Sequence, residues 1–214
     1  MRPQRTRLST NREAFAAHTL GAVLVGGVGS RFGGDKPSAR FRGQTLLNNA
    51  LSVLDEAGLC ELAYVGGPPR SDVSHDAVHI PDSPALAEAN LPQCALRGVV
   101  SALEAMRPHH SQALIIACDI PLVRASTLSS LLESLDDNDA AVPHGKRDHW
   151  SCIAVQQSTL EHLLAALRRG DYAMHVAFGS LRLARLNVKE HEFANVNSRA
   201  ELDAVITDAS TDRG

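Results

Sequence analysis

The feature that most constrains the fold of this chain is a short apolar run that ends in a glycine-rich turn, Leu20–Pro37 (LGAVLVGGVGSRFGGDKP). Gly21–Val25 is short and apolar, which predicts a buried strand. The glycines that follow let the backbone turn tightly, and their amides can lie against a ligand oxygen because no Cβ intervenes. Arg31 and Lys36 add full positive charges to such an anion-binding concavity. The stretch therefore predicts a phosphate-binding loop at the end of a strand.

Two widespread phosphate-binding patterns do not match this turn. The Walker pattern needs a hydroxyl residue after its lysine, and Pro37 follows Lys36 here. The dinucleotide fingerprint fails because Gly33 comes one residue too late after Gly27-Val-Gly29, and an NAD enzyme would also need an acidic residue where Gly66-Gly67 stand. From the pattern alone, a structural turn that holds no ligand remains the alternative.

Length and composition restrict the class of protein. With 214 residues the chain fits one α/β domain, which we place at residues 20–206, between a flexible N-terminal extension (1–19) and a frayed tail (207–214). A formal net charge of -3 and 21% charged residues give no sign of a nucleic-acid face or a membrane surface. Four widely spaced cysteines predict reduced, mostly buried thiols and a cytoplasmic protein.

A second chemical signal follows the most apolar run of the chain. Ala113–Cys118 (ALIIAC) is typical of a strand buried on both faces, and it ends on Asp119. A carboxylate at the end of a central parallel strand faces the ligand crevice and suits a divalent metal ion. A helix-capping or turn aspartate is the alternative.

The remaining elements alternate between strands and helices. We expect strands at 62–65, 78–80, 140–142, 151–155 and 184–188, and helices at 45–57, 98–106, 126–135, up to Arg169 and up to Ile206. Capping boxes are predicted at Ser158-x-x-Glu161 and Ser198-x-x-Glu201. A polar, basic segment at 143–150 (PHGKRDHW) is predicted to cross the crevice as a loop.

The motifs together carry a resemblance to a known family. LVGGVGSRFGGDKP resembles the nucleotidyltransferase signature L-A-G-G-x-x-x-R-M-G-x-D-K, and ACDIP, GKRDHW and FANVNS resemble the molybdenum cofactor guanylyltransferases. The similarity runs from about Gly21 to Ala204. It implies a Rossmann-like three-layer α/β/α sandwich with a mostly parallel central sheet. It also implies transfer of GMP from GTP to the terminal phosphate of molybdopterin carrying molybdenum, with release of pyrophosphate.

The resemblance also implies roles for individual residues. Arg31, Lys36 and Asp119 would be catalytic, and Asp119 would hold Mg²⁺. Nucleotide contacts are expected from Leu24, Val25, Gly26, Gly27, Gly29, Ser30, Lys36, Asp82, Gly98 and Asp119. Contacts with the pterin or the reacting phosphates are expected from Arg147, Asp148, His149, Asn195 and Asn197. A molybdoenzyme or a cofactor-delivery protein is an expected partner.

Some positions depart from the family pattern on the base side of the expected pocket. Val25 stands where alanine is usual, Cys94-Ala-Leu-Arg97 stands where G-P-L-A is common, and Gly66-Gly67 replaces an expected asparagine. A cytidylyltransferase of the same pterin, another small-molecule nucleotidyltransferase and a non-catalytic nucleotide-binding adaptor therefore remain alternatives. The histidines predict no structural zinc, and His109-His110 is predicted to be a solvated helix end.

Overall fold

A computed structural model of the chain describes residues 17–26, 32–84, 86 and 91–211, with side chains as far as residue 207. The strands of this described part are β1 (Thr19–Leu24), β2 (Arg40–Phe41), β3 (Gln44–Thr45), β4 (Glu61–Val65), β5 (Ala77–Ile80), β6 (Gln112–Ala117), β7 (Ala140–His144), β8 (Cys152–Gln156) and β9 (Leu183–Asn187). Its α-helices are α1 (Leu46–Glu56), α2 (Ala95–Glu104), α3 (Ala125–Leu135), α4 (Leu160–Arg169), α5 (Met174–Ala177) and α6 (Arg199–Thr211). Short 3-10 helices occupy Lys36–Ser38, Gln157–Thr159 and Glu190–Phe193.

Seven of the strands form one central sheet in the order β5-β4-β1-β6-β8-β7-β9. The pairs β5-β4, β4-β1, β1-β6 and β7-β9 are parallel, and β8 runs antiparallel to both of its neighbours. The sheet is therefore mostly parallel and lies between two layers of helices, which confirms the fold class expected from the sequence.

The central strands are buried on both faces because their side chains alternate between two cores. In β6, Leu114 and Ile116 pack into the core beneath α1 and α3, whereas Ala113 and Ile115 pack into the core beneath α2 and α4. An edge strand would need only one apolar face, so the continuous run ALIIA indicates a central position, and β6 occupies the middle of the sheet.

The helices lie on the two faces of the sheet, and each packs its apolar side against the strands. On one face, α1 and α3 contribute Leu47, Leu51, Leu128 and Leu131, and Leu202 of α6 joins the same core. On the other face, α2 and α4 bury leucines against the sheet, and Met174 and Ala177 of α5 join the same core with the adjacent Phe178. The ends of the helices leave the carboxyl edge of the sheet open between the two layers.

Two elements of the fold were not predicted from the sequence. The segment after Lys36–Ser38 forms a two-stranded hairpin, β2-β3, whose turn holds Arg42 at φ 50° and Gly43 at φ 87°. The four-residue helix α5 follows α4. Both elements are too short to give a periodic pattern, and their positions depend on tertiary packing.

The two predicted capping boxes had different outcomes. Ser198 Oγ accepts a hydrogen bond from the Glu201 amide (3.2 Å), so Ser198 caps α6 as predicted, and the helix continues beyond Ile206 to Thr211. Ser158 does not cap α4, because residues 157–159 form a 3-10 turn and the helix begins at Leu160, after Thr159. At the other end of α4, Gly170 takes φ 89° and ends the helix as predicted.

Among the described residues, no helix has the length and hydrophobicity required to cross a membrane. All four cysteines are unpaired. Cys118 and Cys152 are buried, Cys94 is half-buried, and Cys60 is exposed, so the prediction of mostly buried thiols holds for only two of them.

Candidate active site

The carboxyl edge of the sheet opens into one cavity of about 960 Å³. The loops that follow the parallel strands β1, β4 and β6 all end there, and the segment entering β8 closes the far side. The lining residues come from eight segments, and they are Leu24, Val25, Gly26, Phe32, Gly34, Asp35, Lys36, Pro37, Gly67, Pro68, Arg70, Gln93, Cys94, Ala95, Ala117, Cys118, Asp119, Trp150, Ser151, Met174, Asn195 and Asn197. The lining therefore includes residues from both halves of the chain.

An ion pair lies across the cavity. Lys36 Nζ is 2.7 Å from Asp119 Oδ2, and it also donates to Asn197 Oδ1 at 3.2 Å. The side chains of Lys36 and Asp119 are only 17% and 18% exposed. Three residues that are distant in sequence thus meet through one ammonium group.

The second oxygen of Asp119 has no such partner. Asp119 Oδ1 is buried and accepts no hydrogen bond from any of the described residues. An unpaired buried carboxylate oxygen is costly in free energy, and its cost falls when a cation binds to it. The carboxylate is therefore a hard oxygen donor with one free position.

The backbone holds these groups in place. The Val196 amide donates to Asp119 O (2.9 Å), and the Val196 side chain is fully buried. Asn195 and Asn197 flank this anchored residue and both line the cavity. The backbone amide of Asn197 in turn donates to Glu201 Oε2 at 2.7 Å, so the first turn of α6 holds residues 195–197 in place.

Two glycines bring the β1 and β4 loops into direct backbone contact. Gly66 takes φ 85°, and a Cβ built on it would lie 3.1 Å from Gly26 Cα and 3.2 Å from Gly26 N. An asparagine at position 66 would meet both the dihedral strain and this contact. The local geometry therefore favours the glycine that departs from the family pattern.

Two of the expected nucleotide-binding residues lie behind the cavity wall rather than in its lining. Asp82 accepts from Gln93 Nε2 (3.2 Å), and its Oδ2 is 3.8 Å from the buried guanidinium of Arg97. Gly98 lies in α2, where an added Cβ would come within 2.8 Å of Leu24 Cδ2. Asp82 supports the lining residue Gln93, and Gly98 allows α2 to pack closely against β1.

The segment 147–149 does not line the cavity. Asp148 receives hydrogen bonds from Arg185 Nε and is 2.7 Å from His144 Nδ1. Burial alone would raise the pKa of Asp148, but the Arg185 and His144 hydrogen bonds outweigh burial and lower it. His149 is buried, with its ring stacked on Phe193 at 5.1 Å, and Arg147 is exposed.

Several lining residues were not among the site residues expected from the sequence, and they include Arg70, Gln93, Trp150 and Met174. Trp150, the single tryptophan of the chain, packs against Phe178 with ring centroids 5.7 Å apart. It is the last residue of the segment 143–150, which was predicted to cross the crevice as a loop. Within that segment Trp150 reaches the cavity lining, whereas residues 147–149 do not.

Cys118 precedes Asp119 but is not a nucleophile in this environment. Burial and the charge of Asp119 raise the pKa of the Cys118 thiol to about 12. At neutral pH the residue is a protonated thiol that packs in the core. Catalysis by a cysteine thiolate at this position is excluded.

The first half of the predicted phosphate loop falls outside the described residues. Gly27, Gly29, Ser30 and Arg31 belong to this part, and their expected nucleotide and catalytic contacts stay predictions. The loop is described again from Phe32, whose buried ring lies under the Arg199 guanidinium at 5.8 Å.

Comparisons with known proteins identify relatives of this chain. The family model described as the MobA-like NTP transferase domain matches residues 21–184. A probable molybdenum cofactor guanylyltransferase of Chloroflexus aggregans is 34% identical over 171 residues, which cover 75% of this chain and 76% of that protein. The Bifunctional protein GlmU of Azorhizobium caulinodans is 30% identical over 131 residues, or 60% of this chain, and the match spans only 29% of the relative's length.

A solved structure gives the same fold. The molybdopterin-guanine dinucleotide biosynthesis protein A of Archaeoglobus fulgidus superposes with a TM-score of 0.72 at 21% identity, covering 90% of this chain and 99% of that chain. At this level of identity the match concerns the fold, and it includes the sheet whose carboxyl edge carries the cavity.

Proposed function

The chain belongs to the MobA-like NTP transferase domain family, whose members are nucleotidyltransferases, and from this premise we propose that it transfers GMP from GTP to molybdopterin carrying molybdenum. An oxygen of the terminal phosphate of the pterin attacks the α-phosphorus of GTP. The new phosphoanhydride bond forms as the bond between the α- and β-phosphates breaks, and pyrophosphate leaves. The product is molybdopterin guanine dinucleotide.

The observation that carries this proposal is the Lys36–Asp119–Asn197 contact at the carboxyl edge of the sheet. Both reactants are anions, so charge neutralisation and positioning are the main tasks of the protein. The Lys36 ammonium would leave Asp119 for the triphosphate when nucleotide binds. Asn197 would keep the ammonium oriented, because an amide oxygen accepts its hydrogen bond without adding negative charge.

The residues present fit Mg²⁺. Asp119 offers a buried carboxylate oxygen that is unpartnered among the described residues, and Mg²⁺ prefers such oxygen ligands. Asp119 would hold the ion, which when bound neutralises charge on the α-phosphate and pyrophosphate oxygens. The described ionic side chains that line the cavity are Asp35, Lys36, Arg70 and Asp119, and their formal charges cancel. Nucleotide affinity is therefore expected to depend strongly on the metal ion.

The two substrates would occupy different sides of Asp119. The loops after β1 and β4 contribute Val25, Gly26 and Gly67 on one side and would take the nucleotide. Trp150 and Ser151, at the start of β8, lie on the other side of β6 and would face the pterin. This arrangement would place the α-phosphate near the shared carboxylate. GTP and the four unpaired thiols suit a cytoplasmic enzyme, and we propose that compartment.

The identity of the base is the part of the proposal that most needs testing. Gly66 and the buried Arg97 stand where the family pattern has other residues, and both border the nucleotide side. A preference for CTP would make the chain a cytidylyltransferase of the same pterin. A chain that binds nucleotide without turnover would be an adaptor in cofactor delivery.

The experiment is a nucleotide screen with purified protein, Mg²⁺ and molybdopterin carrying molybdenum. GTP, CTP, ATP and UTP are compared by release of pyrophosphate, and the dinucleotide product is identified by mass spectrometry. We expect pyrophosphate with GTP only, and only when the pterin is present. Turnover with CTP alone would replace the guanylyl assignment, and binding of GTP without any pyrophosphate would support the adaptor.

A further inference from the structure

A carboxylate stands where the proposed triphosphate would bind. Asp35 directly precedes Lys36, lines the same cavity, and has a side chain that is 55% exposed. A full negative charge at this point would repel the phosphates and offset the attraction of the neighbouring ammonium. The site therefore needs a group that neutralises Asp35.

Arg70 contacts Asp35 through both of its terminal nitrogens, a geometry that can neutralise the carboxylate. Its Nη1 is 3.2 Å from Asp35 Oδ1 and its Nη2 contacts Asp35 Oδ2, so the two side chains form a bidentate pair. Nη2 also donates to Ser38 Oγ (2.9 Å), which in turn donates to Asp35 Oδ2. The guanidinium is thus bound to both residues that flank the Lys36-Pro37 dipeptide.

The guanidinium is held rigidly and lies mostly out of solvent. The Arg70 side chain is only 9% exposed, and its Nε is buried without a hydrogen-bond partner among the described residues. The Arg70 amide donates to the hydroxyl of Tyr64 at 2.9 Å, and the Tyr64 ring is buried in the sheet and stacked on His79. A second carboxylate, Asp72, lies 3.8 Å from Nε. The end of the β4 loop therefore presents Arg70 to the segment 35–38 and to nothing else in the described cavity wall.

We propose that Arg70 is a positioning residue that acts through Asp35: it cancels the carboxylate charge beside the bound triphosphate and fixes the segment that carries Lys36. The inference rests on the proposed nucleotide transfer, because it assumes that polyphosphate binds in this cavity. It assigns no direct phosphate contact to Arg70, because Nη1 already donates to Asp35 and Nη2 already donates to Asp35 and Ser38.

The test uses the charge of the pair. Relative to the wild type, Arg70→Ala removes one positive charge, Asp35→Asn removes one negative charge, and the double variant keeps the net charge of the wild type. Binding of inorganic tripolyphosphate with Mg²⁺ is measured by calorimetry, and GTP with Mg²⁺ is measured in parallel. We expect about tenfold weaker binding for Arg70→Ala, binding at least as tight as wild type for Asp35→Asn, and binding within about threefold of wild type for the double variant.

Salt gives an independent readout that a general structural role would not produce. Added KCl should strengthen tripolyphosphate binding to Arg70→Ala, because it screens the exposed Asp35 charge, while it weakens binding to the wild type. Thermal unfolding checks that each variant is folded. If Arg70→Ala does not fold, Arg70→Gln with and without Asp35→Asn repeats the comparison in a side chain that can still donate to Ser38.

Two results would overturn the inference. A double variant as weak as Arg70→Ala would mean that Arg70 contacts the phosphates directly, and a wild type that binds no polyphosphate would remove the assumption on which the inference rests. Failure of the guanylyl assignment appears differently: tripolyphosphate binding would still follow the charge of the pair, while the nucleotide screen would give no product from GTP.

Discussion

In the described part of the chain, each edge of the central sheet holds a carboxylate that pairs with basic groups, and the two clusters differ in the atoms that lack a hydrogen-bond partner. At the carboxyl edge, Asp119 pairs with Lys36 through one oxygen. At the amino edge, Glu61 at the start of β4 is 2.6 Å from His109 Nε2, 3.0 Å from Arg107 Nη1 and 3.4 Å from His110 Nε2. By residue type, the amino edge looks more like a metal site, because the Glu61, His109 and His110 ligand atoms all lie within 4.8 Å of one another.

The hydrogen bonds of His110 argue against a metal site at the amino edge. His110 Nδ1 accepts a hydrogen bond from the Arg107 amide (3.1 Å), so in the neutral ring Nε2 carries the proton. A histidine binds a metal through an unprotonated nitrogen, and the other nitrogen usually donates to an acceptor. His110 is arranged the opposite way, so its buried Nε2 is a donor aimed at Glu61.

The unpartnered atoms of the two clusters therefore differ in kind. At the amino edge the buried atom without a hydrogen bond among the described residues is a proton donor, His110 Nε2, and at the carboxyl edge it is an acceptor, Asp119 Oδ1. A cation can satisfy only the second. Whether such a cluster can hold a cation therefore depends on which of its atoms carry protons, and the residue types alone do not determine this.

The sharpest way to test this contrast is to replace each carboxylate by its amide. Asp119→Asn should lower kcat by about a thousandfold or more, because the proposed metal ligand is lost, while GTP affinity without metal stays the same or rises as Lys36 is released. Glu61→Gln should leave kcat within about twofold and lower the Tm. Pyrophosphate release and thermal unfolding measure both effects, and full turnover in Asp119→Asn would remove that residue from the mechanism.

Lys36 tests the other half of the carboxyl-edge cluster. Lys36→Met keeps most of the apolar stem but removes the ammonium, and we expect kcat/KM for the nucleotide to fall about a hundredfold. Arg107→Met is the matched control at the amino edge and should leave kcat/KM unchanged. An equal loss in the two variants would show that the effect comes from stability and not from contact with substrate.

The amino-edge cluster should instead appear in the pH dependence of stability. Burial lowers the pKa of His110, and the charge of Glu61 opposes this only in part. Below the ordinary histidine pKa of about 6.5 the unfolded chain takes up a proton that folded His110 resists, so the free energy of unfolding should decrease as the pH falls through that range. His110→Asn should reduce the fall in Tm between pH 7.5 and 5.5 by a few degrees. His109→Asn, at an exposed site, is the control, and an unchanged slope in His110→Asn would contradict the assignment.

The smallest expected effect is the response to zinc. The protein purified without chelator should contain no stoichiometric zinc by elemental analysis, and added Zn²⁺ should not raise the Tm, because binding at Glu61 would require His110 to give up its bond to the Arg107 amide. One tightly bound zinc that disappears in His110→Asn would refute the tautomer argument.

Sequence patterns predicted the parts of the molecule that follow local rules. The ALIIAC run identified β6 as a central strand and placed Asp119 at its end, and the apolar spacing identified α1, α2 and α3 within a few residues of their bounds. These elements were predictable because a strand buried on both faces and an amphipathic helix each impose a repeating pattern. The meeting of Lys36 with Asp119 followed from the resemblance and from the rule that parallel strands end at one edge.

Other features depend on contacts that no local pattern contains. Arg70 reaches Asp35 across two loops, and nothing around PPRSD distinguishes it from a surface arginine. His110 was predicted to be solvated with His109, but it is 7% exposed, and its ring lies against His109 and 3.4 Å from Glu61. The polar segment 147–149 was predicted to face the crevice, whereas in the structure Asp148 pairs with Arg185 and His149 packs on Phe193.

Because β8 runs antiparallel to its neighbours, one side of the cavity is lined by a different kind of connection from the other side. Parallel strands contribute only their carboxyl ends to the ligand edge, but the antiparallel β8 contributes its amino end, so the β7-β8 connection with Trp150 reaches the cavity as a hairpin. A hairpin tolerates changes in length and sequence without altering the register of the strands that hold Asp119 and Gly26. Under the proposed function, exchange of residues 145–151 with those of a relative should alter the acceptor that Trp150 and Ser151 would face, and the segments on the other side of Asp119 would stay as they are.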